Sequence, residues 1–440
     1  MSGLRKLWFI VGLLAASAAQ ATPEVCAQRA AEILQALQKG DFALVATHFN
    51  ARMKDALDAS RLEKVWTQAL PQQFGAFDHA ADTKVSLLGD GALAETPLHF
   101  ANQWLVMRVG CDAQGQVDGL RFAPGAAPAG AEAMGPGERS LAVPTPWGPL
   151  PGVLTLPSGQ GPFAAVVLVA GSGPNDRDET VGANKPFRDI AQGLAAAGIA
   201  SLRYDKRSRV YGPRMAQQAD AATIDNEVTD DALAAVKLLS VQPGVDPHRV
   251  FVLGHSLGAY MAPRIGQREP QLAGLVLLAA SARPLLDVIA QQTREQGKLQ
   301  GLSDEQIQQK EQSIAAEQRW LATADPSRPP PGSFGNAPQG YWLSLREYDA
   351  VAVAGALSMP MLILQGGSDF QVSPTQDYGR WQTGLAGRSL VSFHQYEGLN
   401  HLFMPAGKTG TPADYQTPSR VDGRVIQDIA KWIKAQPAAH

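Results

Sequence analysis

From about residue 139 to the end, the chain alternates continuous apolar runs with amphipathic stretches. Four runs, at residues 164–170, 250–253, 272–280 and 361–365, contain almost no polar position. Strands that are covered by helices on both faces lose the polar alternation of half-exposed strands, so these runs predict the centre of a parallel sheet. Because stretches of helical period such as 186–197 lie between the runs, the pattern predicts an α/β fold.

The beginning of the chain has a different pattern. Residues 23–39 place apolar side chains at helical spacing, and from residue 83 onward four segments have the length and composition of strands. Helices followed by a series of strands predict a small α+β domain over residues 22–125. Residues 126–138 are rich in Pro, Gly and Ala, which is typical of an interdomain linker. The second domain is therefore expected to span residues 139–440.

Residues 283–346 interrupt the alternation of the second domain with a Gln-rich helical segment and a Pro-rich stretch. The segment lies between two predicted core strands, where a lid would be inserted. The alternative is a solvated helical excursion that has no part in substrate binding.

The first residues have the layout of a secretory signal peptide. Arg5 and Lys6 precede an apolar run over 7–19, and the segment 1–21 ends in a small-x-small pattern. A membrane anchor is the alternative, but a spanning helix needs about 20 apolar residues. We therefore expect export to the periplasm or the medium. No other apolar run reaches spanning length, so no membrane span is expected after cleavage.

Composition excludes several function classes. Hydrophobic residues make up 45% of the 440 positions, which is enough for large cores and excludes wholesale disorder. The net charge is −3 and no long basic run occurs. Because binding to phosphates needs clustered cations, a nucleic-acid partner is not expected.

The chain contains two cysteines, Cys26 and Cys111. In an oxidising compartment an even pair indicates one disulfide, here within the first domain. The alternative is two buried thiols. Neither a CxxC nor an HxxxH pattern accompanies the cysteines, so no metal site is expected.

The segment Gly254-His255-Ser256-Leu257-Gly258 matches the pattern G-x-S-x-G. A bare match arises easily by chance, but this one follows an apolar strand and opens into a segment that favours a helix. A nucleophile elbow needs this strand–turn–helix setting, since it holds the serine in a strained turn with glycines where other backbone comes close. Ser256 is therefore the candidate nucleophile.

A serine hydroxyl needs a base, and the base needs an acid to orient it. With a nucleophile elbow of this kind, an acid follows the serine along the chain and a histidine follows the acid, each after a later strand. Asp369 follows the strand 361–365 and a Gly-rich turn, and His401 follows the strand 390–395 and a loop. Asp349 and Asp377 compete less well for the acid, because one precedes the strand and the other falls on a predicted helix.

The oxygen of the electrophile needs two N–H donors. Leu257, directly after the nucleophile, is expected to supply one. The other should come from the turn after the strand 164–170, with Ser172 preferred and Gly171 as its rival. Asp176 and Arg177 continue this loop. They either bind substrate or pair with other charges of the protein.

These motifs together resemble the serine hydrolases of the α/β-hydrolase superfamily. The Gly171-Ser172-Gly173-Pro174 loop, the elbow, QGGSD before Phe370 and NHLF around His401 are most similar to its exported bacterial esterase- and peptidase-like members. The resemblance implies an eight-stranded, mostly parallel sheet with helices on both faces, a helical lid after the sixth strand and no cofactor. It also implies a small N-terminal α+β domain of unknown function. Two positions depart from the pattern, Ala170 where many relatives carry His and Ser208 where Gly is usual.

The expected activity is hydrolysis of a small-molecule ester through an acyl-Ser256 intermediate. One alternative is a peptidase of the aminopeptidase type acting on a short peptide. The other is a non-catalytic secreted binding protein that retains the three residues. The sequence specifies neither the acyl preference nor the oligomeric state.

Overall fold

The computed structural model describes residues 23–100, 103–125, 134–217, 222–323, 339–407 and 410–439. It separates into two compact units, Met1–Glu132 and Ala133–His440. The predicted signal peptide and residues 126–133 of the predicted linker lie outside the described residues. Among the described residues, no helix combines the length and the apolar character needed to cross a membrane.

The N-terminal unit is an antiparallel sheet with helices on one face. Its helices are α1 (Pro23–Lys39), α2 (Phe42–Thr47), α3 (Ala51–Ala56), α4 (Ala59–Lys64), a π-helical turn (Val65–Ala69) and α5 (Leu70–Phe74). Its strands are β1 (Phe77–Ala80), β2 (Lys84–Leu88), β3 (Gly91–Phe100), β4 (Gln103–Cys111) and β5 (Val117–Pro124). The order is β1-β3-β4-β5, with β2 also paired to β3.

Strand β3 shows why the unit folds this way. Its even positions, such as Ala94 and Leu98, are fully buried, whereas the odd positions between them are partly exposed. The buried positions pack against the apolar stripe of α1, which includes Ile33 and Leu37. This period-two alternation of buried and partly exposed positions is typical of a sheet with only one covered face.

Cys26 of α1 and Cys111 of β4 form a disulfide, with their Cα atoms 5.8 Å apart. The predicted pairing is therefore confirmed. The bridge joins the helical layer to the sheet across 85 positions of sequence.

The second unit contains an eight-stranded sheet in the order β13-β12-β11-β10-β8-β9-β7-β6. All pairings from β9 through β8 to β13 are parallel, and the two pairings that involve β7 are antiparallel. The strands are β6 (Glu138–Val143), β7 (Leu150–Thr155), β8 (Phe163–Val169), β9 (Ala200–Tyr204), β10 (Val245–His255), β11 (Gly274–Leu278), β12 (Met361–Gly366) and β13 (Val391–Tyr396). This topology confirms the predicted fold class.

Helices cover both faces of this sheet. They are α6 (Pro186–Ala196), α7 (Arg207–Val210), α8 (Gly212–Gln217), α9 (Asp230–Ser240), α10 (Leu257–Arg268), α11 (Leu285–Leu299), α12 (Asp304–Thr323), α13 (Gln339–Leu345), α14 (Ala350–Ala356), α15 (Gly379–Gly384) and α16 (Gly423–Ala435). In β8, Ala165 and Val167 enter the core on one face, and Val166 and Leu168 enter the core on the other. Both faces of the strand are apolar, which explains its continuous hydrophobic run.

The insertion predicted over 283–346 lies between β11 and β12, after the sixth strand of the unit. Helices α11 and α12 pack against each other, and Gly297 of α11 lies close to Ile307 of α12. The Pro-rich stretch falls within residues 324–338, outside the described part of the chain. That the segment acts as a lid stays a prediction.

Candidate active site

Ser256 occupies a sharp turn between β10 and α10. Its φ of 52° and ψ of −114° are rare for a residue with a side chain, and such backbone strain persists only where the surroundings enforce it. The N–H of Ser256 donates to the carbonyl of Leu278 (2.9 Å), and its own carbonyl accepts from the N–H of Tyr260 (2.8 Å). These two hydrogen bonds hold the predicted elbow.

The glycines of the motif are required by close approach of backbone. A Cβ atom on Gly258 would lie 2.1 Å from the carbonyl oxygen of Val169, and one on Gly254 would lie 2.3 Å from the carbonyl carbon of Gly258. Neither neighbour is a side chain that could move aside. The steric reason for G-x-S-x-G therefore holds at both positions.

Asp369 and His401 form a buried pair at the ends of neighbouring strands β12 and β13. Oδ2 of Asp369 lies 2.8 Å from Nδ1 of His401, and the two residues are 7% and 3% exposed. The other carboxylate oxygen accepts backbone N–H groups from Gln371 (2.8 Å) and Val372 (2.9 Å), and the amide of Gln365 donates to Oδ2 (2.8 Å). This arrangement places the His401 proton on Nδ1 and leaves Nε2 as the basic nitrogen.

The loop that carries His401 lies against the elbow. The carbonyl of His401 is 2.9 Å from Nε2 of His255, the residue before Ser256. The two imidazole rings have centroids 4.7 Å apart. Among the described residues no hydrogen bond joins Ser256 Oγ to His401 Nε2, and such bonds are often long before substrate binds.

The oxyanion candidates separate clearly. Leu257 is the first residue of α10, where a backbone N–H has no partner within the helix. Gly171 lies against the nucleophile, because a Cβ atom on it would be 3.1 Å from Cβ of Ser256. Its N–H, however, donates to Oε1 of Glu179 at 2.6 Å. Gly171 is therefore the wrong choice for the second donor, because its N–H is already taken, and the N–H of Ser172 stays the predicted donor.

Asp176 and Arg177 hold their own loop together. Asp176 accepts hydrogen bonds from the backbone N–H groups of Asp178 (3.2 Å) and Thr180 (2.9 Å), and from the Thr180 hydroxyl (2.8 Å). The guanidinium of Arg177 pairs with Asp205, with Nε 3.1 Å from Oδ1. Of the two alternatives for these residues, the contacts support pairing within the protein over substrate binding.

Two residues in this region were missed by sequence reasoning. Glu179 supports the loop at Gly171, and His255 bridges Glu179 and the His401 carbonyl. Glu179 thus supports the loop that directly follows Ala170. The charged run 175–179 could not reveal this role, because a buried and an exposed carboxylate look alike in sequence. The second departure, Ser208, lies within the short helix α7.

One group of residues in the N-terminal unit brings metal-ligating atoms together, the only such group in the described part of the chain. Oδ2 of Asp78 lies 3.0 Å from Nδ1 of His79 and 3.0 Å from Nδ1 of His99, and both rings contact Trp104. The hydrogen bonds from His99 and His79 lower the pKa of Asp78. These hydrogen bonds account for the arrangement without an ion.

A family model described as serine aminopeptidase S33 matches residues 181–405. The chain is also 35% identical over 414 residues to esterase EstD of Thermotoga maritima, an alignment that covers 92% of this chain and 95% of that protein. The chain belongs to the serine aminopeptidase S33 family. This S33 member is a serine hydrolase with the α/β-hydrolase fold.

The S33 match covers the elbow but leaves the N-terminal unit outside. Residues 30–120 match a separate family of proteins of unknown function. Among solved structures, the esterase domain of a Rhodothermus marinus protein is 16% identical with a TM-score of 0.42, covering 68% of this chain and 98% of that one. A puromycin-hydrolyzing peptidase of Mycobacterium tuberculosis is 18% identical with a TM-score of 0.44, covering 82% and 48%.

Proposed function

We propose that this S33 family member hydrolyses carboxylic esters, with Ser256 as nucleophile, His401 as general base and Asp369 as the group that orients His401. The observation that carries the proposal is the buried 2.8 Å contact between Asp369 and His401, beside a serine in a strained elbow. A histidine held with Nδ1 on a carboxylate presents a basic Nε2, which is what a serine hydroxyl requires.

Nε2 of His401 takes the proton of Ser256 Oγ as that oxygen attacks the ester carbonyl carbon. The negative charge that develops on the carbonyl oxygen is stabilised by the N–H groups of Leu257 and Ser172. The alcohol leaves with the proton from His401, and an acyl-Ser256 ester remains. His401 then deprotonates a water molecule that attacks this ester, and its proton returns to Ser256 as the acid product departs.

An amide substrate is the second candidate, favoured by the family's description as a serine aminopeptidase. Recognition of a peptide amino terminus needs an unpaired carboxylate near the nucleophile. The acidic residues of the 176–179 loop already bind within the protein: Asp176 accepts from Thr180, Asp178 pairs with Arg203 and Glu179 contacts His255. The 35% identity to an esterase over most of the chain also supports ester hydrolysis.

Replacing Ser256 by Ala tests the assignment. The variant should lose about 10⁶-fold in kcat on a p-nitrophenyl ester if the three residues act as a unit, and it should not label with a fluorophosphonate. Ser392→Ala, an exposed serine on β13, is the control and should behave as wild type. A Ser256→Ala protein with ordinary turnover contradicts the proposal, and a wild type that never labels supports a non-catalytic protein.

A panel of esters, thioesters and aminoacyl anilides on the mature wild type separates the two substrate classes. We expect kcat/KM to be highest for short acyl esters. Faster release from an aminoacyl anilide than from any ester contradicts the ester assignment and supports the peptidase, whereas Ser256 remains the nucleophile in both cases.

We also propose that the protein is exported and that residues 1–21 are removed. The proposal is supported by the layout of the segment and by the Cys26–Cys111 disulfide, a bond typical of oxidising compartments. N-terminal sequencing of the protein from the periplasm or the medium should begin at Thr22. Recovery from the cytoplasm with an intact N-terminus and two free thiols contradicts it.

A further inference from the structure

A second carboxylate–imidazole pair, Glu179 and His255, lies buried behind the elbow. Nδ1 of His255 is 2.9 Å from Oε1 of Glu179, and the two side chains are 6% and 4% exposed. The same Oε1 accepts the N–H of Gly171 at 2.6 Å, and Nε2 of His255 is 2.9 Å from the carbonyl of His401. Three hydrogen bonds therefore connect the oxyanion loop to the loop of the proposed base.

The hydrogen-bond partners fix which atoms donate. A carbonyl oxygen only accepts, so Nε2 of His255 carries a proton and donates to His401. Burial lowers the pKa of His255, but the Glu179 carboxylate, the His401 carbonyl and Asp369 together raise it, so the pKa lies above its usual value. A carboxylate oxygen also accepts, so the geometry suits a His255 ring that donates from Nδ1 to Glu179 and from Nε2 to His401.

Hydrogen bonds hold both peptide groups that flank Gly171. Its N–H is taken by Glu179, and its carbonyl accepts from Nζ of Lys206 (2.8 Å) and from the side-chain amide of Asn175 (3.0 Å). The next N–H along the chain is that of Ser172. Fixing the peptides of Gly171 therefore fixes the direction of the donor that the proposed mechanism uses.

The backbone at Glu179 is itself strained. Its φ is 52°, a value uncommon for a residue with a side chain. Strain of this kind is stored where the surrounding structure enforces it, and it concentrates at functional sites. In this conformation the side chain of Glu179 contacts both Gly171 and His255.

We propose that Glu179 and His255 are positioning residues for the hydrolysis, which hold the Ser172 donor and the His401 base in register with Ser256. The inference rests on the proposed function, because Glu179 and His255 act through Ser172 and His401, to which that function assigns roles. Neither Glu179 nor His255 is assigned a contact with substrate. Since they align groups that act on the developing oxyanion, their loss should lower kcat and leave KM nearly unchanged.

Glu179→Gln and His255→Gln test this in the full mature protein with a p-nitrophenyl ester. Each should lower kcat about 10- to 100-fold, less than the about 10²- to 10³-fold loss for deleting an oxyanion donor outright, with KM within about twofold. Affinity for a trifluoromethyl ketone, which forms a tetrahedral oxyanion on the serine, should fall by the same factor as kcat/KM. Glu397→Gln and His394→Gln, at exposed positions, are the matched controls and should retain wild-type kinetics.

The double variant distinguishes a shared role from two separate ones. If the residues act as one unit, Glu179→Gln with His255→Gln should lose no more kcat than the worse single variant. Glu179→Asp keeps the charge with a shorter reach and should recover part of the loss, and it replaces Glu179→Gln if that protein does not fold.

The two proposals fail in different ways. Single variants with kcat within about twofold of wild type, or with equal loss in the matched controls, overturn the positioning role while Ser256→Ala still abolishes turnover. Multiplying losses in the double variant, or a rise in KM with unchanged kcat, overturns it as well. Ordinary turnover by Ser256→Ala overturns the proposed function itself.

Discussion

Two buried carboxylate–imidazole pairs flank the elbow, and they differ in what faces the second ring nitrogen. In each pair a carboxylate oxygen lies within 3 Å of Nδ1, at 2.8 Å for Asp369 and His401 and at 2.9 Å for Glu179 and His255. Nε2 of His255 points at a backbone carbonyl. Among the described residues, no hydrogen bond occupies Nε2 of His401.

A buried carboxylate–imidazole pair therefore does not by itself define a function. An imidazole whose second nitrogen faces a carbonyl must keep its proton there, so it cannot accept one from a nucleophile. An imidazole whose second nitrogen is free can act as a base. The Asp369–His401 pair is therefore suited to proton transfer, and the Glu179–His255 pair to holding two loops in place.

Of the changes that distinguish the two pairs, removing the charge of Asp369 should have the largest effect. Asp369→Asn keeps the size of the side chain but no longer selects the tautomer with the proton on Nδ1, so we expect kcat to fall about 10⁴-fold, as for the equivalent change in another serine hydrolase. Glu179→Gln should lower kcat only about 10- to 100-fold, which is at least about 100-fold less than the loss for Asp369→Asn. Steady-state kinetics on one ester checks the ranking, and equal losses would remove the distinction between the pairs.

The backbone strain at Ser256, in the elbow between the two pairs, should lower the free energy of unfolding. Ser256→Gly and Ser256→Ala should both be inactive, but the glycine variant should be more stable by about 1–3 kcal/mol, because glycine adopts a positive φ without the cost that a Cβ atom imposes. Urea unfolding of the two variants measures the difference. Equal free energies of unfolding would indicate that the backbone at residue 256 relaxes once the hydroxyl is lost.

The smallest expected effect is a pH dependence of stability from the Glu179–His255 pair. The groups that face His255 are Glu179, which raises its pKa most, Asp369, which also raises it, and the His401 ring and carbonyl. Because the pKa of His255 is raised on folding, its contribution is complete below the unfolded value of about 6.5 and is lost as the pH rises through the folded pKa.

Wild-type protein should therefore lose unfolding free energy on this alkaline side, by about 1.4 kcal/mol for each unit by which the pKa is raised. His255→Gln should show a flatter profile, whereas His394→Gln, at an exposed position, should match wild type. Parallel profiles for wild type and His255→Gln would show that His255 is neutral in the folded protein.

The parts of the site that the sequence predicted are those with local signals. The G-x-S-x-G segment after an apolar strand predicted the elbow, and the positions of Asp369 and His401 after strands predicted their place at one edge of the sheet. The roles of Gly171, Asp176 and Arg177 depended on contacts with Glu179, Thr180 and Asp205, and here the sequence-based interpretation was wrong or incomplete.

The strands, their covered faces and the place of the turn at Ser256 could be read from the sequence alone, because hydrophobic periodicity and the G-x-S-x-G segment are patterns of neighbouring positions. Which carboxylate orients the proposed base and which supports a loop became visible only in the folded protein. That choice depends on burial and on partners 76 positions away, as for His255 and Glu179. A buried charge must find such a partner because the interior does not solvate it as water does, and the linear order of residues does not contain that pairing.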